Sequence, residues 1–248
     1  MSENIITESL LDFLYPPACF HCDRSMENHK MLCDECFEGL EAISFGECPV
    51  CGMHLPENMS VCPDHPDTSP FEPLQFIRSL GIFNDVLRNL VHGLKYGERM
   101  DIGIYFGHLL GKIIVNESRF RGFELVIPVP LYKTRQRERG YNQSERIARG
   151  IFERARLPYA KSLAVRTKVT KSQTELDLKQ REENVRDIFA LTDTKRIKEK
   201  NIIIVDDVIT SGATVKSLAR TLREAGAGRI CAMCVARPGI SQSKQHRL

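Results

Sequence analysis

Beyond residue 74 the apolar positions fall into two alternating rhythms. Short continuous runs, LVIPV at 125–129, IIIVD at 202–206 and RICAMCVA at 229–236, read as strands covered on both faces. Between them, 144–156 and 213–225 space their apolar residues as helices do, and Gly226 ends the second. Strands alternating with helices predict an α/β domain, a parallel sheet flanked by helices. Ligands of such sheets bind at the carboxyl ends of the strands. At the start of the chain, Ile5, Ile6, Leu10, Leu11, Phe13 and Leu14 lie largely on one face of a predicted helix that Pro16 and Pro17 end. That helix carries no basic residue, which favours docking on a core over lying on a membrane.

Between the first helix and residue 74 neither rhythm holds, and cysteines set the pattern instead. Cys19 and Cys22, Cys33 and Cys36, and Cys48 and Cys51 are CxxC pairs, and Cys62 with His65 makes a fourth pair of the same length. The second half repeats the first at an offset of 29 residues. Two such knuckles supply a tetrahedral set of soft donors, so the expected metal is zinc, as one or two structural ions. Iron–sulfur ligation and buried reduced thiols are the competing readings, and a histidine in register with a cysteine favours zinc. His54 competes with His65 for the last position, and the repeat selects His65. The spacing fits sequential and interleaved pairing of the knuckles alike. His21, inside the first knuckle, reads as a surface residue. Cys231 and Cys234 have the CxxC spacing but lie on a predicted strand, where residues three apart point to opposite faces; they read as small core residues.

Charge sharpens the division. The 248-residue chain has 35 Lys and Arg against 32 Asp and Glu. Residues 1–70 hold two basic and 13 acidic side chains, net −11, and residues 71–248 hold 33 and 19, net +14. An N-terminal helix and double ribbon over 1–70 and a second domain over 71–248 are expected. Thiolates make the ribbons more negative still, so any nucleic-acid affinity belongs to the basic part. The first 18 residues lack the basic stretch of a secretory signal, and no apolar run nears the roughly 18 to 20 residues that span a bilayer. A cytoplasmic protein without membrane insertion is expected, in a compartment where thiols stay reduced.

The segment IIIVDDVITSGAT at 202–214 carries the most chemistry. Asp206 and Asp207 stand where the strand ends, and Thr210, Ser211, Gly212, Ala213 and Thr214 turn into the next helix. Small hydroxylated residues around a glycine at a helix N-terminus suit a phosphate. Two carboxylates beside that cradle must face something other than phosphate, and vicinal ribose hydroxyls meet the requirement. A helix-capping pair is the competing reading of the two aspartates, and the full motif weighs against it. Neither the P-loop pattern nor GxGxxG is present. Residues 130–200 hold 19 Lys and Arg against 10 acids; a solvated basic face is the default for any one of them, and clustering near the anion cradle singles out Arg135, Arg137 and Arg139.

These residues resemble a known family. IIIVDDVITSGAT is similar to the phosphoribosyl pyrophosphate (PRPP) motif of type I phosphoribosyltransferases. The ribbons, HGLKYGER at 92–99, IPVPLYKTRQRERGYNQSE at 127–145 and KSQTELDLKQREENVRDIF at 171–189 resemble the ComF family, which is associated with natural DNA uptake. The resemblance implies a type I phosphoribosyltransferase fold after a zinc-ribbon module. It implies PRPP and Mg²⁺ as ligands, Asp206 and Asp207 on the ribose hydroxyls, and residues 210–214 around the 5-phosphate. Leu131, Tyr132 and Lys133 correspond to the pyrophosphate loop, with Arg135 and Arg139 neutralising charge. Gln173 and Arg181, with Asn184, match the family in a long polar segment, 169–186, expected to close over the site.

Three functions follow. One is a Mg²⁺-dependent phosphoribosyltransferase with an acceptor the sequence does not name. Another is a PRPP-sensing accessory factor that grips single-stranded DNA through the basic domain; aromatics near the basic run are sparse (Tyr132, Tyr141, Phe152, Tyr159), which predicts weak, salt-sensitive binding. The third is a zinc-dependent adaptor for protein partners.

Overall fold

The computed structural model describes residues 16–41, 48, 50–52, 55, 62, 72–167 and 188–238. The expected N-terminal helix, His54, His65, Gln173, Arg181 and Asn184 lie outside these residues.

A four-stranded parallel sheet of order β1-β6-β5-β2 forms the centre: β1 Ile77–Ile82, β2 Leu125–Pro128, β5 Ile202–Val208 and β6 Ile230–Arg237. A separate antiparallel pair joins β3 Ala164–Arg166 to β4 Phe189–Leu191. The helices are α1 Asp34–Glu41, α2 Asp85–Tyr96, α3 Met100–Asn116, α4 Lys133–Arg139, α5 Gln143–Ala155 and α6 Ala213–Glu224. The predicted strands and helices match within two residues. Strand β5 extends to Val208, so Asp206 and Asp207 stand within its last residues, and the helix expected over 144–156 begins and ends one residue earlier.

Alternation along the central strands builds a core on each face. Ile202, Ile204, Ala232 and Cys234 pack with Val215, Leu218 and Leu222 of α6. Ile203, Val205, Cys231 and Met233 pack on the other face with Leu87, Leu90, Phe106 and Ile147 of α2, α3 and α5. Cys231 and Cys234 therefore belong to different cores and share no metal cluster. The ribbons divide in the same way: Cys48, Cys51 and Cys62 are buried in the first core, and Cys19 and Cys33 in the second.

Close approach of α3 and α5 sets the position of the site. Gly103, Gly107 and Gly111 repeat every fourth residue along α3, and a Cβ at Gly107 would stand 2.2 Å from the Ile147 carbonyl oxygen. Gly150 on α5 answers them, with a Cβ there 2.3 Å from the Ile104 carbonyl oxygen. Only bare backbone lets the helices come this near, and the contact carries the N-terminus of α5 to the end of β5.

Candidate functional site: a carboxylate pair, an anion cradle and two thiol clusters

The first and third thiol knuckles are backbone turns. Cys19 N–H donates to the Arg24 carbonyl at 2.9 Å, Asp23 N–H to Cys19 at 2.9 Å, and Gly52 N–H to Cys48 at 2.9 Å. Asp23 and Gly52, equivalent in the repeat, both have left-handed backbones, φ 56° and 65°. Glycine is required at position 52 for a second reason, since a Cβ would lie 2.6 Å from the Ile77 carbonyl oxygen.

The sulfurs of Cys19, Cys22, Cys33 and Cys36 lie within 4.8 Å of one another, and those of Cys48, Cys51 and Cys62 do likewise. The knuckles therefore pair sequentially. Thiolates tetrahedral at about 2.3 Å from zinc stand about 3.8 Å apart. Cys22 and Cys33 are separated by 3.8 Å, as are Cys51 and Cys62, so the donor sets fit that ion. Burial raises the Cys19 thiol, but N–H groups of Cys33, Cys22 and His21 outweigh it and bring Cys19 down to about 6, suited to a metal-binding thiolate.

The carboxylate pair sits at the end of β5 between parallel neighbours. Ser144, in the first turn of α5, donates its hydroxyl to Asp206 Oδ1 at 2.9 Å, and the Asp207 N–H reaches the same oxygen at 2.9 Å. Burial, followed by repulsion from Asp207, pushes Asp206 up to about 7. Asp207 accepts from the Val208 N–H at 2.7 Å, and its Oδ2 lies 3.0 Å from Lys95 Nζ. Asn142 holds this corner: its amide donates to the Val129 carbonyl at 3.0 Å and its Oδ1 caps Ser144 N–H at 3.0 Å. Tyr141 donates its hydroxyl to the Leu94 carbonyl, next to Lys95.

The cradle follows directly. Asp206 and residues 208–215 line one pocket, with Gly212 left-handed at φ 78° as the cap of α6 and Ser211 Oγ accepting from Ala213 N–H at 3.4 Å. Arg237, buried at the end of β6, donates to the Thr210 carbonyl at 3.1 Å and steadies the turn. The start of α6 faces this pocket, the geometry by which a helix N-terminus can receive an anion.

Arg135 and Arg139 stand on α4, not on a loop; Leu131 and Tyr132 precede this helix and Lys133 opens it. They line a cavity of about 520 Å³ with Lys95, Tyr96, Tyr141 and two acids, Glu98 and Glu138. The Arg139 guanidinium lies 5.2 Å from the centre of the Tyr96 ring, which is 66% exposed. Burial and then the neighbouring Arg135 hold the Arg166 guanidinium below its ordinary value, and Asp206 opposes that shift. Sequence reasoning matched Lys95 to a family segment without a role and passed over Ser144, Arg166 and Arg237. Their positions depend on chain segments brought together from a distance. Gly140, left-handed at φ 73° after the arginines, was the one local signal for α4.

Residues 10–65 match the double zinc ribbon domain and residues 138–247 the phosphoribosyl transferase domain. The DNA utilization protein YhgH of Escherichia coli (strain K12) is 28% identical over 222 residues, covering 88% of this chain and 89% of that protein. Competence protein F of Haemophilus influenzae is 29% identical over 217 residues, covering 86% and 93%. A solved glutamine PRPP amidotransferase from B. subtilis is 23% identical with a TM-score of 0.39, covering 58% of this chain and 30% of that one. Two sequential thiol clusters set before a parallel sheet thus join a double zinc ribbon to a phosphoribosyl transferase domain, and the chain aligns along most of its length with relatives named for competence and DNA utilization.

Proposed function

We propose that the chain binds PRPP with Mg²⁺ at the carboxyl end of β5 and transfers its phosphoribosyl group to an acceptor, releasing pyrophosphate, in a role connected with competence and DNA utilization. One observation carries the reading: two adjacent carboxylates at the end of a central parallel strand, directly beside the N-terminus of α6. The 5-phosphate takes the N–H groups and hydroxyls of Thr210, Ser211, Gly212, Ala213 and Thr214, and Asp206 and Asp207 accept from the ribose hydroxyls. In the transfer the bond from C1 to the pyrophosphate oxygen breaks and a bond from C1 to the acceptor forms. Arg135 and Arg139 on α4 face the departing charge, with Leu131 and Tyr132 just before that helix and Lys133 at its first position. Beside Asp206 and Asp207, Mg²⁺ carried by the phosphate groups of PRPP would supply charge neutralisation. Gln173 and Arg181 belong to the segment expected to cover the site, and His65 completes the second zinc set. The boundary at residues 70 and 71 and a cytoplasmic location accompany this reading.

The test is a thermal shift with PRPP and Mg²⁺. Wild type gains stability, and Asp206→Asn with Asp207→Asn does not. Pyrophosphate release screened across nucleobases, amines and DNA ends then identifies the acceptor.

A second reading, a PRPP-sensing accessory that binds single-stranded DNA, is supported by the exposed Tyr96 ring beside Arg139, in a cavity lined by three cations and two acids. Affinity for an oligonucleotide that falls steeply with salt and is lost in Tyr96→Ala supports it; salt-independent binding refutes it.

A further inference from the structure

Helix α2 joins the first ribbon to the carboxylate pair. Its last turn carries Lys95, whose Nζ lies 3.0 Å from Asp207 Oδ2, the two side chains being 24% and 11% exposed. Two residues earlier, Gly93 meets the ribbon: a Cβ there would stand 2.4 Å from Phe20 Cζ, so the ring rests against bare backbone. Phe20 follows the ligand Cys19, and its N–H is fixed to the Met31 carbonyl at 3.0 Å within the ribbon. Just beyond the helix, the Arg99 guanidinium covers the same ring at 5.0 Å from its centre. One residue along the knuckle, His21 Nδ1 lies 3.1 Å from the Asn89 amide on α2. The first knuckle thus touches this region at positions 89, 93 and 99, on both sides of Lys95 in the sequence.

We propose that Lys95 is a positioning residue that holds Asp207 for the ribose of PRPP, and that the first zinc ribbon sets the place of Lys95 through Phe20. The inference rests on the PRPP reading above. Adjacent carboxylates repel, and Lys95 supplies a positive charge 3.0 Å from Asp207. Each carboxylate oxygen has two lone pairs, so Asp207 can keep Lys95 and the Val208 N–H and still accept from a hydroxyl. Zinc fixes the knuckle, the knuckle fixes Phe20, and Phe20 fixes the part of α2 from which Lys95 extends.

The experiment is calorimetric titration of PRPP with Mg²⁺ into the full zinc-loaded chain, with zinc content measured on each sample. Lys95→Met is expected to weaken PRPP about tenfold or more, the scale of losing a charge-assisted contact, and Lys95→Arg to recover most of it. Phe20→Ala is expected to weaken PRPP about fivefold with zinc retained, a coupling at the small end of the usual range; Phe20→Leu reads the same contact if the alanine variant loses zinc. By linkage, saturating PRPP slows passage of zinc from wild type to a chelator, and Lys95→Met removes that effect although its ribbon is intact, which a purely structural role for Lys95 does not produce. Unchanged PRPP affinity in Lys95→Met overturns the role of Lys95, and unchanged affinity in both zinc-retaining Phe20 variants overturns that of the ribbon. Wild type that takes up no PRPP overturns the PRPP reading itself, and this inference with it.

Discussion

Ser144 on α5 and Asp206 on β5 are joined by a 2.9 Å hydrogen bond between residues 62 positions apart. The first turn of a helix thereby orients a carboxylate on a strand packed beneath it. Ser144→Ala is expected to destabilise the protein by about 1–2 kcal/mol at pH 8, where the acceptor is charged, and by less at pH 5. Urea unfolding at the two pH values measures the difference.

Asp206 gives the protein a defined pH response. Its folded value, about 7, lies above the ordinary carboxyl range because burial, and then Asp207, oppose its charge. The folded state therefore holds a proton that the unfolded state has released. Stability from this group is complete below the unfolded value near 4 and is lost as pH rises through about 7. The melting temperature without PRPP should fall between pH 5 and pH 8, and Asp206→Asn should flatten that fall. A carboxylate is the better acceptor for ribose hydroxyls, so the PRPP-induced shift of wild type should grow over the same interval.

Sequential pairing of the knuckles predicts separable metal sites. Wild type should carry about two zinc ions per chain, and Cys22→Ser and Cys51→Ser should each lose one of them, read by elemental analysis. His65→Ala should lose the second ion while His54→Ala keeps both; the reverse result reassigns the ligand.

The glycine contact between α3 and α5 predicts a cost at a distance from the chemistry. In Gly107→Ala the methyl group meets the Ile147 carbonyl, a backbone atom that yields only if α5 moves. A loss of about 1–3 kcal/mol is expected in denaturant unfolding, together with a smaller PRPP-induced thermal shift because Ser144 and Asn142 move with the helix.

The elements legible in the sequence were those whose pattern is local. Strands β2, β5 and β6 announced themselves as apolar runs, the knuckles as a repeat, and the anion cradle as a glycine among hydroxyls. Strand β1 did not, because IRSLGI contains Arg78 and Ser79, and both are buried by partners remote in sequence: Arg78 pairs with Glu117 at 2.9 Å and Ser79 donates to the Gly52 carbonyl at 2.7 Å. Helix α4, KTRQRER, buries no residue and so has no apolar periodicity to read. Lys95 and Ser144 acquire their partners only when α2 and α5 are folded against β5, which spacing along the chain does not encode.

The second ribbon also has a use unrelated to the site. Strand β1 lies at one border of the sheet, and the Ile77 N–H on its open side donates to the Val50 carbonyl at 2.7 Å while Ser79 holds Gly52. A bare border strand is a template on which a second chain can add its own. The knuckle occupies that template, so loss of the ion its thiols would hold is expected to uncover the strand, and demetallation should appear as clouding of the solution.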